Sequence, residues 1–140
     1  MKNVVIVDYG MGNIDSVARA IEECGGKPII TNAKKDFEIA THIILPGVGS
    51  FQNGMKNIRS LDIDKILQEQ VIEYNIPFLG ICLGMQLLAT KGYEGGETDG
   101  LGFIEGEVSL MKPLLENEKI PHIGWNEVYP SKDTSLFEGI

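Results

Sequence analysis

The sequence contains few of the residues that build metal centres or disulfide frameworks. Among its 140 residues there are only two cysteines and two histidines. The cysteines, Cys24 and Cys82, lie far apart, and neither a histidine nor another cysteine stands near Cys82 at the spacing of a zinc site. We therefore predict no metal site, and two free thiols in a reducing, cytoplasmic environment.

Long apolar runs and clusters of positive charge are also missing. The apolar run at residues 4–7 is too short for a secretory signal or a membrane span. The chain has 12 basic and 20 acidic side chains, which gives a net charge of −8. No segment concentrates the basic residues. This composition argues against a nucleic-acid-binding surface. The length and the 43% hydrophobic content predict one domain over residues 1–140.

Short β-branched runs alternate with segments of helical periodicity, which is typical of parallel βαβ units. We predict strands at residues 4–7, 29–30, 42–45 and 76–81. Helices are expected from Ile14, from Asp62 and from Leu83 to about Ala89. The helix from Asp62 has Ile63, Ile66, Leu67 and Val71 on its apolar side. The first helix carries an apolar stripe, which consists of Ile14, Val17, Ala18, Ile21 and Cys24. Further on, we expect a loop at 92–102, an antiparallel strand at 103–111 and another strand at 125–129. The predicted fold class is an α/β three-layer sandwich, with a mostly parallel sheet and a small antiparallel addition.

The run Gly80-Ile81-Cys82-Leu83-Gly84 joins a predicted strand to a predicted helix. A nucleophile flanked by glycines at such a corner is the nucleophile-elbow pattern, here with cysteine in place of serine. The turn is so tight that side chains at the two glycines would collide with backbone. At the tip, free N–H groups favour a thiolate, and the N–H of Leu83 can face an oxyanion. The alternative is a small buried hydrophobe, a reading that suits Cys24 better than Cys82.

Two more glycine-containing segments follow predicted strands. Residues 46–51 (PGVGSF) offer backbone N–H groups at the carboxyl end of a strand, where ligands bind in open α/β sheets. An ordinary turn explains the same residues equally well. Residues 8–13 (DYGMGN) do not complete a dinucleotide-binding motif, because Asp15 occupies the position of its last glycine.

Taken together, these segments resemble the triad class of glutamine amidotransferases, and within it the glutaminase subunits of imidazole glycerol phosphate synthase. The runs that carry the resemblance are DYGMGN (8–13), PGVGSF (46–51), GICLGMQLL (80–88), GLGFIEG (100–106) and PHIGWNEV (121–128). GICLGMQ is shared by many triad amidotransferases and points to the chemistry. DYGMGN and PHIGWN are narrower and point to the subunit. The resemblance implies a class I amidotransferase fold of flavodoxin-like type, and no cofactor.

The resemblance also implies roles for individual residues. Cys82 would attack the carboxamide carbon of glutamine, while the backbone of Gly47, Val48 and Leu83 would form the oxyanion hole. Gly49 and Gln86 would hold the substrate. Asn13, Trp125 and Asn126 would lie toward a partner, the cyclase subunit, which in the family is a (β/α)8 barrel that receives the ammonia.

The family's triad also requires a histidine followed two residues later by a glutamate, in a segment after the GWN motif. Neither His42 nor His122 meets this pattern, because Ile44 and Gly124 stand two residues after them. We therefore expect these 140 residues to be the N-terminal portion of an amidotransferase domain and to be inactive alone. The sequence leaves two alternatives: a triad glutaminase that serves another synthase, such as anthranilate synthase, or a flavodoxin-like or receiver-like binding module without catalysis.

Overall fold

The structure is a computed structural model that describes residues 1–113 and 119–129. Its contacts separate two compact units, Met1–Leu110 and Met111–Ile140. The predicted single domain of 140 residues includes positions 114–118 and 130–140, which lie outside the described residues. That prediction stays a prediction.

The first unit is built around a parallel sheet of four strands. The strands are β1 (Asn3–Val7), β2 (Lys27–Thr31), β3 (His42–Gly47) and β4 (Phe78–Cys82). They lie in the order β2-β1-β3-β4, and every neighbouring pair is parallel. The strands predicted at 4–7, 29–30, 42–45 and 76–81 are thereby confirmed. The strand order reverses its direction between β1 and β3. Such a switch point is where open α/β sheets bind ligands.

One face of the sheet is covered by α1 (Ile14–Glu23), which follows β1. Ile21 packs with Val4 and Ile6, and the predicted stripe residues Ile14, Val17 and Ala18 join the same cluster. The predicted place of Cys24 on this stripe is wrong. The helix ends at Glu23, and Cys24 is an exposed thiol just beyond it. Gly25 follows with φ +76°, a left-handed conformation that ends helices and suits glycine.

The other face of the sheet packs against α2 (Lys34–Phe37), α3 (Phe51–Ser60) and α4 (Ile63–Leu67), which continues as a π-helical segment over Gln68–Glu73. Val5 and Val7 point to this face while Val4 and Ile6 point to the opposite one, because strand side chains alternate. Helices therefore flank the sheet on both sides, which confirms the predicted α/β sandwich. Helix α3 was not predicted, because its sequence is mostly polar and its buried stripe consists of Phe51, Met55 and Ile58 only.

A second, smaller sheet contains β5 (Ala89–Gly92), β6 (Thr98–Asp99) and β7 (Ile104–Val108) in the order β6-β5-β7. The strand predicted at 103–111 exists, but its antiparallel orientation is wrong. β7 runs parallel to β5, and only β6 is antiparallel. The predicted loop at 92–102 contains β6, and the helix predicted to reach Ala89 is only α5 (Leu83–Gln86). The addition is a mixed sheet.

In the second unit, residues 119–129 have no regular secondary structure, so the strand predicted at 125–129 is wrong. Trp125 is fully exposed there. Across the residues that the structure describes, no helix is both long and apolar enough to cross a membrane.

Candidate active site

Cys82 is the last residue of β4 and directly precedes α5. Its backbone has φ +54° and ψ −117°, a conformation that residues other than glycine rarely adopt. Such strain is held only where the surrounding structure enforces it, and it is common at functional sites. The thiol is exposed. Cys82 is therefore presented at a sharp corner and is not a buried hydrophobe.

Two glycines make this corner possible by allowing backbone segments to pack without side chains. A Cβ atom on Gly80 would lie 2.7 Å from the backbone N of Met85, and one on Gly84 would lie 1.7 Å from the carbonyl oxygen of Leu45. Real Cβ atoms essentially never approach closer than 3.0 Å. The spacing of the G-x-C-x-G pattern thus follows from contacts that the corner makes within itself and with β3.

The end of β3 lies directly beside the corner. Gly47 is the register partner of Cys82 across the parallel pair β3 and β4. Gly47 is buried, and a Cβ atom there would lie 2.3 Å from the hydroxyl oxygen of Tyr9 and 2.9 Å from the backbone N of Gly84. The predicted neighbours Gly47, Cys82 and Leu83 are thereby brought together by sheet register and by the absence of a side chain.

The loops after β1 and β3 contact each other at the switch point of the sheet. The backbone N–H of Val48 donates to the carbonyl oxygen of Met11, with 3.4 Å between N and O. Gly49 has φ +105°, and a Cβ atom on it would lie 2.7 Å from Cε of Met11. The Val48 side chain is exposed. In this conformation the Val48 N–H is engaged with the β1 loop.

Tyr9 packs against Gly47, next to the contact between these two loops, and is 2% exposed. Its backbone carbonyl accepts a hydrogen bond from Nδ2 of Asn57 at 3.0 Å. Its hydroxyl is buried and has no hydrogen-bond partner among the described residues. Burial raises the pKa of Tyr9 well above its usual value, and the nearby charge of Cys82 raises it further. The hydroxyl therefore stays protonated and can act as a donor.

Glu94, from the segment after β5, holds the start of α3 beside the PGVGSF loop. Its Oε2 accepts the backbone N–H of Phe51 at 3.1 Å, and its carbonyl oxygen accepts that of Gln52 at 3.4 Å. A carboxylate at a helix N-terminus satisfies free N–H groups and complements the helix dipole. The Ser50 hydroxyl accepts the Asn53 N–H at 3.4 Å and completes the cap.

Tyr9 and Glu94 were not among the predicted site residues. Tyr9 belongs to the DYGMGN run at the carboxyl end of β1, so its position beside a binding edge was a usable signal. Glu94 comes from a Gly- and Glu-rich stretch, and no local pattern identifies it. Its contact with Phe51 spans 43 residues of sequence.

The remaining predicted site residues are placed as follows. Gln86 is half-buried and ends α5, four residues after Cys82. Asn13 is exposed at the start of α1, and its side chain makes no capping hydrogen bond. In the second unit, Trp125 is exposed, and Nδ2 of Asn126 lies 2.8 Å from Nε2 of His122.

A cleft of about 350 Å³ lies elsewhere in the first unit. Its lining residues are Met55, Arg59, Asp64, Lys65, Gln68, Gly100 and Leu101. None of the predicted site residues belongs to it. The chemistry of the corner at Cys82, rather than this cleft, therefore defines the candidate active site.

The corner, with an exposed cysteine between strand and helix at the carboxyl edge of a parallel sheet, is the site expected of an enzyme that uses a thiol nucleophile. The sequence profile of the class-I glutamine amidotransferases matches residues 5–140. The chain belongs to this family.

Relatives narrow the resemblance to one kind of subunit. The chain is 49% identical over 137 residues to imidazole glycerol phosphate synthase subunit HisH 1 of Campylobacter jejuni (strain RM1221). The matched region covers 98% of this chain and 68% of that protein. It is 45% identical to subunit HisH of Aquifex aeolicus (strain VF5), over 97% of this chain and 64% of that protein. The chain thus spans about two thirds of the length of these relatives.

A solved structure of a protein described as a Peptidase E protein, from Listeria monocytogenes EGD-e, has a similar fold. The TM-score is 0.55 at 14% identity, over 64% of this chain and 50% of that one. At this identity the likeness concerns the fold alone.

Proposed function

We propose that this chain is part of a glutamine amidotransferase subunit that releases ammonia from glutamine through the thiol of Cys82. The observation that carries the proposal is the strained, exposed position of Cys82 at φ +54° between Gly80 and Gly84. The family membership and the HisH relatives support the same chemistry. No other exposed thiol in the described residues has this setting, since Cys24 follows the end of a helix.

The chemistry proceeds in two halves. The Cys82 thiol gives up its proton, and the thiolate attacks the carboxamide carbon of glutamine. The nitrogen of the tetrahedral intermediate takes up that proton and leaves as ammonia, and the carbonyl re-forms as a glutamyl thioester. Water then attacks the thioester carbon, which releases glutamate and regenerates the thiol. No cofactor takes part. Gly49 and Gln86 are proposed to hold the substrate, since one lies on the loop after β3 and the other at the end of α5.

The oxyanion of both intermediates needs backbone donors, for which we propose the N–H of Leu83 and the backbone of Gly47 and Val48. The hydrogen bond from Val48 to the Met11 carbonyl bears on this role. For the Val48 N–H to reach an oxyanion, that bond has to open. Substrate-dependent movement of the two loops is therefore part of the proposal.

We further propose that a polypeptide of residues 1–140 alone turns over glutamine negligibly. His42 cannot be the general base, because it begins β3 whereas Cys82 ends the parallel neighbour β4. Five residue steps of about 3.3 Å each put the two positions roughly 16 Å apart along the sheet. Loss of a triad base lowers the rate by about 10⁴ or more.

We propose that the acceptor of the ammonia is a cyclase partner, a (β/α)8 barrel with which the subunit forms a heterodimer in histidine biosynthesis. The names of the relatives support this, because they are subunits of imidazole glycerol phosphate synthase. Asn13, Trp125 and Asn126 are proposed to contact that partner. Trp125 is exposed, and aromatic side chains are enriched at interfaces. The two free thiols support a cytoplasmic location.

Affinity labelling tests the function without requiring turnover. The 140-residue chain is incubated with a chloroketone analogue of glutamine, and adducts are located by peptide mass spectrometry. We expect a single adduct on Cys82, protection by L-glutamine, and no protection by L-asparagine. The Cys24→Ser variant should label like the parent, while Cys82→Ser should not label. Labelling of Cys24 in preference to Cys82 would overturn the proposal.

A further inference from the structure

The Tyr9 hydroxyl is a buried polar group for which neither the fold nor the proposed mechanism gives a use. The ring packs in the core cluster that includes Phe51 and Leu83, and phenylalanine could supply that packing equally well. The hydroxyl adds only an unpaired donor, since no described residue accepts from it. Burying such a group opposes folding, so its presence calls for a compensating role.

The Tyr9 hydroxyl lies close to the backbone that carries Cys82. It lies against the open side of Gly47, where a Cβ atom would be only 2.3 Å away. Gly47 is the register neighbour of Cys82, and the backbone N of Gly84 borders the same space. The hydroxyl therefore lies directly beneath the corner that carries the thiol, on its core side.

A negative charge on Cys82 and a protonated Tyr9 hydroxyl favour each other. The charge of Cys82 is the second cause, after burial, of the raised pKa of Tyr9. An ionised sulfur thus keeps the phenol protonated, and by reciprocity a phenol that donates its proton in a hydrogen bond favours an ionised sulfur. Because Sγ of a cysteine moves about one torsion with three staggered positions, a rotamer change is enough to vary its distance from the hydroxyl.

We propose that the Tyr9 hydroxyl donates a hydrogen bond to the thiolate of Cys82 and thereby raises the fraction of ionised thiol at neutral pH. The proposal deepens the function given above and depends on Cys82 being the reacting thiol. Tyr9 would supply, from the β1 loop, a donor that neither the glycine pattern nor the oxyanion hole includes. Charge-assisted hydrogen bonds of this type are the stronger ones in proteins.

The test is the pH dependence of Cys82 alkylation by iodoacetamide in the 140-residue chain, with Cys24→Ser as background so that one thiol is followed. Tyr9→Phe keeps the ring and removes only the hydroxyl. We expect its alkylation midpoint to move upward by about one pH unit, which makes alkylation about tenfold slower below the midpoint. The matched control is Tyr93→Phe, which removes a hydroxyl that donates to Oε1 of Glu107 at 3.3 Å. Its midpoint should equal that of the parent.

Thermal melting of the same variants separates this role from a structural one. Below the alkylation midpoint the thiol is protonated and the hydroxyl has no acceptor, so the Tm of Tyr9→Phe measured there should equal or exceed that of the parent. An unmoved alkylation midpoint, whatever the Tm, would overturn the inference while leaving the proposed function intact. Failure of the parent's Cys82 to react, while Cys24 of the unsubstituted chain does react, would instead overturn the function.

Discussion

Gly84→Ala puts the geometry of the corner to a direct test. The new Cβ atom would lie 1.7 Å from the carbonyl oxygen of Leu45, 2.7 Å from its carbonyl carbon and 3.2 Å from its Cγ. Leu45 is fully buried in β3, so the clashing atoms belong to a backbone that cannot change rotamer. To restore a separation of 3.0 Å, α5 and β3 have to move apart by more than about 1 Å.

Such a displacement affects both stability and the thiol. Overpacking of a core typically costs about 1–3 kcal/mol, and a backbone clash belongs at the upper end, so we expect about 3 kcal/mol. With a urea dependence of roughly 1.5 kcal/mol per molar, the unfolding midpoint should fall by about 2 M. Alkylation of Cys82 should also lose its selectivity over Cys24, because the corner no longer holds the thiol in place.

Gly124→Ala is the matched control. A Cβ atom on Gly124 meets no described atom within 4 Å, and its φ lies outside the left-handed range. Its urea midpoint should stay within error of the parent's. If Gly84→Ala instead matched the parent in both urea midpoint and Cys82 reactivity, the close packing of the corner against β3 would be refuted.

Three further predictions concern other parts of the chain. Glu94→Ala should destabilise the fold by about 1 kcal/mol in urea titration, because the Phe51 N–H loses its carboxylate partner. Trp125→Ala should weaken binding to the proposed cyclase partner by about 30-fold in calorimetric titration, whereas an unchanged affinity would contradict a contact of Trp125 with that partner. Alkaline pH should destabilise the parent relative to Tyr9→Phe. The pKa of Tyr9 is raised above its usual 10.0 in the fold, so the unfolded chain releases this proton first. With Cys82→Ser as the background, so that the thiol does not titrate, the stability difference should be constant below pH 10 and change by about 1.4 kcal/mol per pH unit above it, as followed by urea titration at each pH.

Sequence patterns predicted the parallel sheet well because its strands carry a local signal. Residues 42–45 are followed by Pro46 and Gly47, and residues 76–81 contain Pro77 and Gly80. Both runs are mostly apolar, as is typical of strands in parallel sheets. The helix predicted from Asp62 includes Val71 and so extends into the segment Gln68–Glu73, but the π-helical hydrogen bonding of that segment has no sequence signal. The helix α3 was not predicted, because it has only three large apolar residues on an otherwise polar surface.

The pairing and direction of the strands in the mixed sheet could not be predicted from the sequence. An alternating segment such as 103–111 predicts a strand, but its partner and direction depend on tertiary contacts. β7 pairs with β5 with a register shift between Ala89 and Lys91. No sequence pattern in either strand predicts this shift. Cys24 illustrates the related difficulty of helix ends, where a shift of one residue moved a side chain from the apolar stripe into solvent.

The candidate site was predictable as far as its chemistry is local. The glycines around Cys82 encode a sharp turn, and the turn requires them for steric reasons that the structure makes explicit. The Tyr9 hydroxyl and the Glu94 carboxylate reach the site from 38 and 43 positions away in sequence, relative to Gly47 and Phe51. Their contributions arise from folding, and a linear pattern does not contain them.

The chain contains its own control for the central claim, because its two cysteines are both exposed free thiols. They differ in setting: Cys82 precedes a helix at a strained corner, whereas Cys24 follows the end of one. Competitive alkylation of the unsubstituted chain with a limiting amount of iodoacetamide at pH 7, read out by peptide mass spectrometry, compares them directly. The account predicts that Cys82 reacts at least about tenfold faster than Cys24. Equal rates, or faster reaction of Cys24, would contradict it.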